Sequence, residues 1–323
     1  MRRRFARRRM GQCLAMRVAV AGASGFVGSA LAHSLVAAGH EVTALTRRPN
    51  DYRGAGQPVA ADIGDEASLQ RAFAGQDAAY YLVHSMAEPD YSAKDRAGAH
   101  MFANAIAATN VGQVIYLGGL GDDADDLSEH LRSRREVESI LLGSTPATAL
   151  RAGIVIGDGG ISWEILRQLV ERLPIMITPR WVETRTQPIS LGDALEDLCG
   201  VLGKPDTIGR TYEIGGPEVL TYRRMMRAVA RVMGRRRLIV PVPLLSSRLS
   251  SHWLRLITDV DLNTARALVD SLANEVVVHD HSIEAIAPRS TVSFADAVTA
   301  ALDARATRAN LRGADSGRAD AHT

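Results

Sequence analysis

Residues Ala21-Gly22-Ala23-Ser24-Gly25-Phe26-Val27-Gly28 stand between an apolar run, Val18-Ala19-Val20, and an amphipathic one that opens at Ser29 and continues through Val36. The first run is short and suits a strand. The second suits a helix, so the glycines lie at a strand-to-helix turn. Glycine at 22, 25 and 28 lets the backbone turn sharply and leaves room for a pyrophosphate at the positive helix N-terminus. Ser24, Phe26 and Val27 belong to the same turn. The first expectation is therefore a dinucleotide site built on residues 22–28.

The rest of the chain agrees with that turn. Apolar or β-branched runs predict strands at Arg17–Ala21, Glu41–Thr46, Pro58–Ala61, Ala78–Val83, Gln113–Leu117 and Ala147–Arg151. Helical patterns fall between them, near Val27–Ala38, Glu66–Phe73, Ser92–Ala108 and Ser128–Leu142. This βαβ alternation predicts an α/β fold with a doubly wound parallel sheet. Beyond Arg151 the rhythm loosens. A helix near Trp163–Leu173, one from Ser190 and one capped by Thr221 and running through Val232 predict a smaller C-terminal lobe, with chain returning to the sheet. The expected division is 16–155 for the dinucleotide-binding domain and 156–303 for the lobe.

Both ends differ in composition from this body. The 323 residues carry a net charge of +2, but six arginines precede Met16. Without them 32 basic residues face 36 acidic ones, a balance of −4. The body is mildly acidic, and no nucleic-acid partner is expected. Residues 1–15 read as a disordered basic head or a mis-assigned start, and residues 304–323 as a disordered tail. The two cysteines lie far apart, and no apolar run of 18 residues occurs. A reducing cytoplasm without a transmembrane segment is expected.

The second strand decides the cofactor's flavour. An NAD site places Asp or Glu about 20 residues beyond the glycines, on the ribose 2′-hydroxyl. Here Thr46-Arg47-Arg48 stands at that point. Two guanidiniums suit a 2′-phosphate, so NADP(H) is favoured over NAD(H). Asp62 and Ile63 follow the third strand, where Asp62 is expected to meet the adenine amino group and Ile63 its ring. Val83 and His84 end the fourth strand and are expected near the cofactor's ribose or nicotinamide. The acidic loop Asp122, Asp123, Asp125 and Asp126 is irregularly spaced and reads as a solvated turn, so no metal site is expected. Trp163, Trp181 and Trp253 all fall in the later lobe, with core packing as their first reading.

Taken in order, several phrases resemble the short-chain dehydrogenase/reductase superfamily in its extended and atypical branches. They are Gly22-Ala-Ser-Gly-Phe-Val-Gly28, Asp62-Ile63, Ala149-Leu-Arg-Ala-Gly-Ile-Val-Ile-Gly157, Gln187-Pro-Ile-Ser-Leu-Gly-Asp193 and Tyr212-Glu-Ile-Gly-Gly-Pro217. Tyr80-Tyr-Leu-Val-His-Ser-Met86 and Ile115-Tyr-Leu-Gly-Gly-Leu-Gly121 look like an atypical NAD(P)H-binding group. That group is akin to the NmrA-like proteins and to the NADPH-binding subunit of respiratory complex I. The resemblance implies a Rossmann-type fold and a nicotinamide cofactor.

It also exposes a departure. Catalytically typical members carry a Ser after the fifth strand and a Tyr-x-x-x-Lys on the next helix. Here the strand ends in Leu117-Gly118-Gly119, and alignment with the motif puts His130 at the Tyr position and Arg134 at the Lys position. Glu138 continues the i, i+4 row, which predicts one shared face. His130 is expected to exchange a proton near neutral pH, and Arg134 to bind a ribose or phosphate without acting as a base. His84 and His130 are the candidate side-chain acids. The resulting expectation is an NADPH-dependent reductase of a small carbonyl, enone or quinone. The alternatives are a non-catalytic NADP(H)-binding sensor or assembly module with a protein partner, and then a nucleotide-sugar epimerase or dehydratase.

Overall fold

Val18 and Val20 are buried on one face of the first strand, β1 (Arg17–Ala21), and Ala19 and Ala21 on the other. A strand whose two faces are both apolar belongs in the middle of a covered parallel sheet. In the computed structural model, which describes residues 15–86, 88, 90–123, 126–241 and 262–319, β1 takes that place.

It pairs in parallel with β2 (Glu41–Thr46) on one side and β4 (Ala78–Tyr81) on the other. β3 (Gln57–Ala60) extends the sheet beyond β2; β5 (Gln113–Gly119) and β6 (Ala147–Ala152) extend it beyond β4. Short pairs form outside the sheet: β7 (Val155–Ile156) with β10 (Ile189–Ser190), β8 (Ile175–Thr178) with β13 (Leu238–Pro241), and β9 (Arg185–Thr186) with β12 (Leu220–Thr221). The expected return of the chain is β11 (Arg210–Ile214), parallel to β6 at the sheet's edge. The order β3-β2-β1-β4-β5-β6-β11 is the doubly wound, Rossmann-type arrangement.

Helices cover both faces. α1 (Phe26–Ala37) and α6 (Leu191–Gly200) bury Leu31, Leu35, Ala194 and Leu198 against Val18 and Val20. α2 (Glu66–Phe73), α3 (Tyr91–Ala107) and α4 (Glu129–Ser144) bury Phe73, Phe102, Ile106 and Leu141 on the opposite face. A separate core around Trp163, Met225 and Val298 joins α5 (Ile161–Arg172), α7 (Tyr222–Val232) and the C-terminal helix.

The expected caps are in place. Ser190 Oγ accepts from the Asp193 amide at 2.9 Å, and Thr221 Oγ1 from the Arg224 amide at 3.2 Å. One expectation is corrected: a helix, Phe294–Ala319, occupies most of the stretch read as a disordered tail from 304. Alanine and arginine are strong helix formers, and Arg305 and Arg308 tie this helix to Glu164 and Asp158. The basic head up to residue 14 and residues 320–323 lie outside the described residues.

Candidate functional site

Gly22 has φ +89°, a conformation glycine reaches at little cost. It turns the chain so that its carbonyl accepts from the Gly25 amide at 2.9 Å, and Gly25 then serves as the N-cap of α1. No side chain caps this helix, whereas Asp65, Ser128, Ser190 and Thr221 cap α2, α4, α6 and α7. α3 and α5 also lack a side-chain cap, but the start of α1 carries the glycine turn that lines the cavity, as an anion-binding helix terminus requires. The turn fits the phosphates of a dinucleotide.

A cavity of about 590 Å³ begins at this turn. Gly22, Ser24, Gly25, Phe26, Val27 and Gly28 form its first wall. Val83 and His84, in the loop just after β4, form the next, with Gly118 and Gly119 at the end of β5. His130 and Arg134 face it from α4. Segments more than 100 residues apart in sequence thus meet outside the carboxyl ends of β1, β4 and β5, where ligands bind in open α/β sheets.

The other expected cofactor residues lie apart from this wall. Arg47 and Arg48 are exposed just past the end of β2, and Arg48 reaches only a loose 3.9 Å contact with Asp51. Asp62 turns its Oδ1 to the Gly64 amide at 2.8 Å, and Ile63 packs against Gly98 of α3. Neither Asp62 nor Ile63 lines the cavity.

On α4 the predicted shared face divides. His130 and Arg134 line the cavity, but Glu138 turns to Arg151, accepting from its Nη2 at 2.7 Å and its Nε at 3.0 Å. Arg134 is buried and ion-paired with Asp95 of α3, a residue the motif comparison missed. Asp95 also accepts from the Ser85 amide at 2.9 Å, so one carboxylate holds both the arginine and the loop after β4. A signal existed in the sequence. Asp95 occupies the same helical stripe as Gly98, Ala99, Phe102 and Ile106, an acid on an otherwise apolar face.

The structure corrects the expected proton chemistry. Burial, then the charge of Arg134, then His84 push His130 down to about 3. Burial and Arg134, opposed by Asp95, push His84 down to about 4, although its ring is open to the cleft. Both are neutral imidazoles at pH 7 rather than proton donors titrating near it. His130 Nδ1 is buried and has no hydrogen-bond partner among the described residues. A neutral imidazole offers one N–H and one lone pair to a ligand.

This has a measurable consequence. The unfolded chain protonates His130 near the ordinary value while the folded chain does not, so stability falls as pH drops below about 6.5. Between pH 6.5 and pH 5, wild type is expected to lose roughly 2 kcal/mol more than His130→Gln. Urea unfolding at the two pH values measures it, and equal losses would refute the neutral, enclosed imidazole.

Other candidates resolve into structure. Asp123 pairs with Arg135 and Arg151, Asp126 pairs with Arg132, and Asp125 lies outside the described residues. Among the described residues no group of three or more His, Cys, Asp or Glu is placed to hold a metal, and no helix is long and apolar enough to cross a membrane. Trp163 is core, Trp181 lines the cavity edge-on to Tyr222, and Trp253 lies outside the described residues.

A family of NAD(P)H-binding domains matches residues 22–169. A (4-alkanoyl-5-oxo-2,5-dihydrofuran-3-yl)methyl phosphate reductase from Streptomyces griseus is 29% identical over 68% of this chain and 74% of its own length. Subunit 9 of the NADH dehydrogenase (ubiquinone) 1 alpha subcomplex, mitochondrial, from Dictyostelium discoideum is 28% identical over 63% of this chain and 60% of its own length. An uncharacterised Mycobacterium tuberculosis protein is much longer, and the chain spans 24% of it at 26% identity over 68% of this chain. Among solved structures, a nucleoside-diphosphate-sugar epimerase from Staphylococcus aureus superposes with a TM-score of 0.71 at 16% identity, covering 88% of this chain and 99% of that one. At that identity the likeness concerns the fold alone.

Proposed function

We propose that this chain, whose residues 22–169 match a family of NAD(P)H-binding domains, is an NADPH-dependent reductase of the atypical short-chain dehydrogenase/reductase group, acting on a small carbonyl, enone or quinone. One observation carries this reading: the cavity runs without a break from the glycine turn, past two neutral histidines, into an apolar lobe. A cofactor-binding module needs the first of these features and has no use for the last.

The residues divide the work. The uncapped amides at the start of α1 hold the pyrophosphate, and Arg47 and Arg48 hold a 2′-phosphate. When bound, the reduced nicotinamide supplies a hydride equivalent. The N–H of a neutral His130 donates to the substrate oxygen as negative charge develops there. Arg134, always protonated, adds a positive field that Asp95 keeps in place. Neither histidine carries a spare proton at pH 7, so the proton that completes the reduction comes from water in the cleft.

Two further readings fare differently. The missing Ser, Tyr and Lys and the likeness to a complex I subunit support a non-catalytic NADP(H)-binding module. Nucleotide-sugar chemistry fits less well, because among the described residues Arg134 is the only Lys or Arg lining the cavity and it is already paired.

NADPH oxidation by the purified chain across carbonyls, enones and quinones tests the proposal, with binding of NADPH and NADH measured beside it. Turnover of at least one class is expected. NADPH should bind tighter by roughly tenfold or more, a preference that Arg47→Ala with Arg48→Ala removes. Tighter NADH binding would sink the NADPH assignment. Tight NADPH binding with no turnover would leave the module reading, which a cofactor-dependent pull-down then examines.

A further inference from the structure

The lobe lines part of the same cavity as His130. Leu166 and Leu169 come from α5, Met225 and Met226 from α7, Trp181 from the segment after β8, and Leu272 from the turn just after the helix Leu262–Ser271. These side chains also belong to, or pack against, the apolar core of the lobe. They bring no charge to the cavity. Leu166, Leu169, Met225 and Met226 are each no more than 5% exposed, so the wall they give the cavity is apolar and closed to bulk solvent. Two adjacent methionines give the wall side chains that adapt to a chain of variable shape.

We propose that this chamber takes an aliphatic chain, so that the substrate is an amphiphile. Its carbonyl, enone or quinone head meets His84 and His130, and its alkyl, acyl or isoprenoid-like tail lies among Leu166, Leu169, Trp181, Met225, Met226 and Leu272. The assignment rests on the reductase reading for the head and on the chamber's lining for the tail. The glycine turn lines one part of this cavity and the lobe another, so a dinucleotide and a tailed substrate share it. The chamber selects for chain length rather than for a charged group.

The test uses the full chain saturated with NADP+, which permits binding but no reduction. Alkan-2-ones of increasing chain length are titrated calorimetrically. Affinity is expected to rise about two- to fourfold per added methylene until the chamber is full. Met226→Trp should end that rise at a shorter chain, its retained NADP+ affinity reporting an intact fold. A series that is flat in wild type, or that Met226→Trp leaves unchanged while NADP+ still binds, overturns the tail assignment. Enones of matching length, assayed with NADPH, keep the two claims apart. A steep binding series without turnover overturns the reductase reading and leaves the tail site standing. Turnover with a flat series does the reverse.

Discussion

Asp95→Ala is expected to lower the stability of the protein by about 3–5 kcal/mol, the cost of leaving a buried charge without its partner. Arg134 and Asp95 are both buried, their side chains 6% and 2% exposed, so water cannot replace the lost carboxylate. The Ser85 amide loses its acceptor in the same variant. The pair itself is not the main source of stability; its breaking is what costs. Removing both charges, as Asp95→Ala with Arg134→Met, should therefore recover a large part of the loss. Urea midpoints for the two variants decide it. A single variant within about 1 kcal/mol of wild type would mean that Arg134 relaxes into the open cleft. The single variant is also expected to lose NADPH turnover, because both the arginine and the loop bearing His84 depend on this carboxylate.

Gly28→Ala is expected to weaken dinucleotide binding by about a hundredfold or more, on the scale at which each 1.4 kcal/mol is tenfold. A Cβ at position 28 would stand 2.8 Å from the Gly22 carbonyl carbon and nearer still to its oxygen. Backbone, unlike a side-chain tip, cannot swing aside, so the start of α1 must move away from the turn. The amides proposed to hold the pyrophosphate move with it. Overpacking of this kind also costs about 1–3 kcal/mol of stability. Calorimetric titration with NADPH measures the affinity. NADPH at about a hundred times the wild-type dissociation constant should stabilise wild type by about 2.7 kcal/mol and the variant far less. Gly143→Ala is the control, since a Cβ there meets nothing within 4 Å. Equal NADPH stabilisation of wild type and Gly28→Ala would refute the role given to the turn.

The sequence by itself determined the parts governed by local rules. The strand Arg17–Ala21, the glycine turn, the Ser190 and Thr221 caps and the placing of His130 and Arg134 one helical turn apart all follow from periodicity, glycine and capping. The stretch from 304 has the low apolar content of a disordered tail, yet its alanine and arginine are strong helix formers and it is helical to Ala319.

Only the tertiary structure decided what those residues are in chemical terms. Arg134 finds its partner 39 positions back, on a neighbouring helix. Glu138 lies one turn beyond Arg134, yet faces Arg151 because α4 packs across the end of β6. The charge state of His130 depends on how much protein surrounds it and on a cation one turn away, so its residue type alone suggests the opposite of what burial produces. The apolar chamber is assembled from α5, α7 and the chain around 181 and 272, segments whose sequences each read as ordinary core. The physical reason is common to all of these. Backbone conformation responds to neighbours within a few residues, while desolvation, ion pairing and cavity shape respond to whatever the fold brings within a few ångströms.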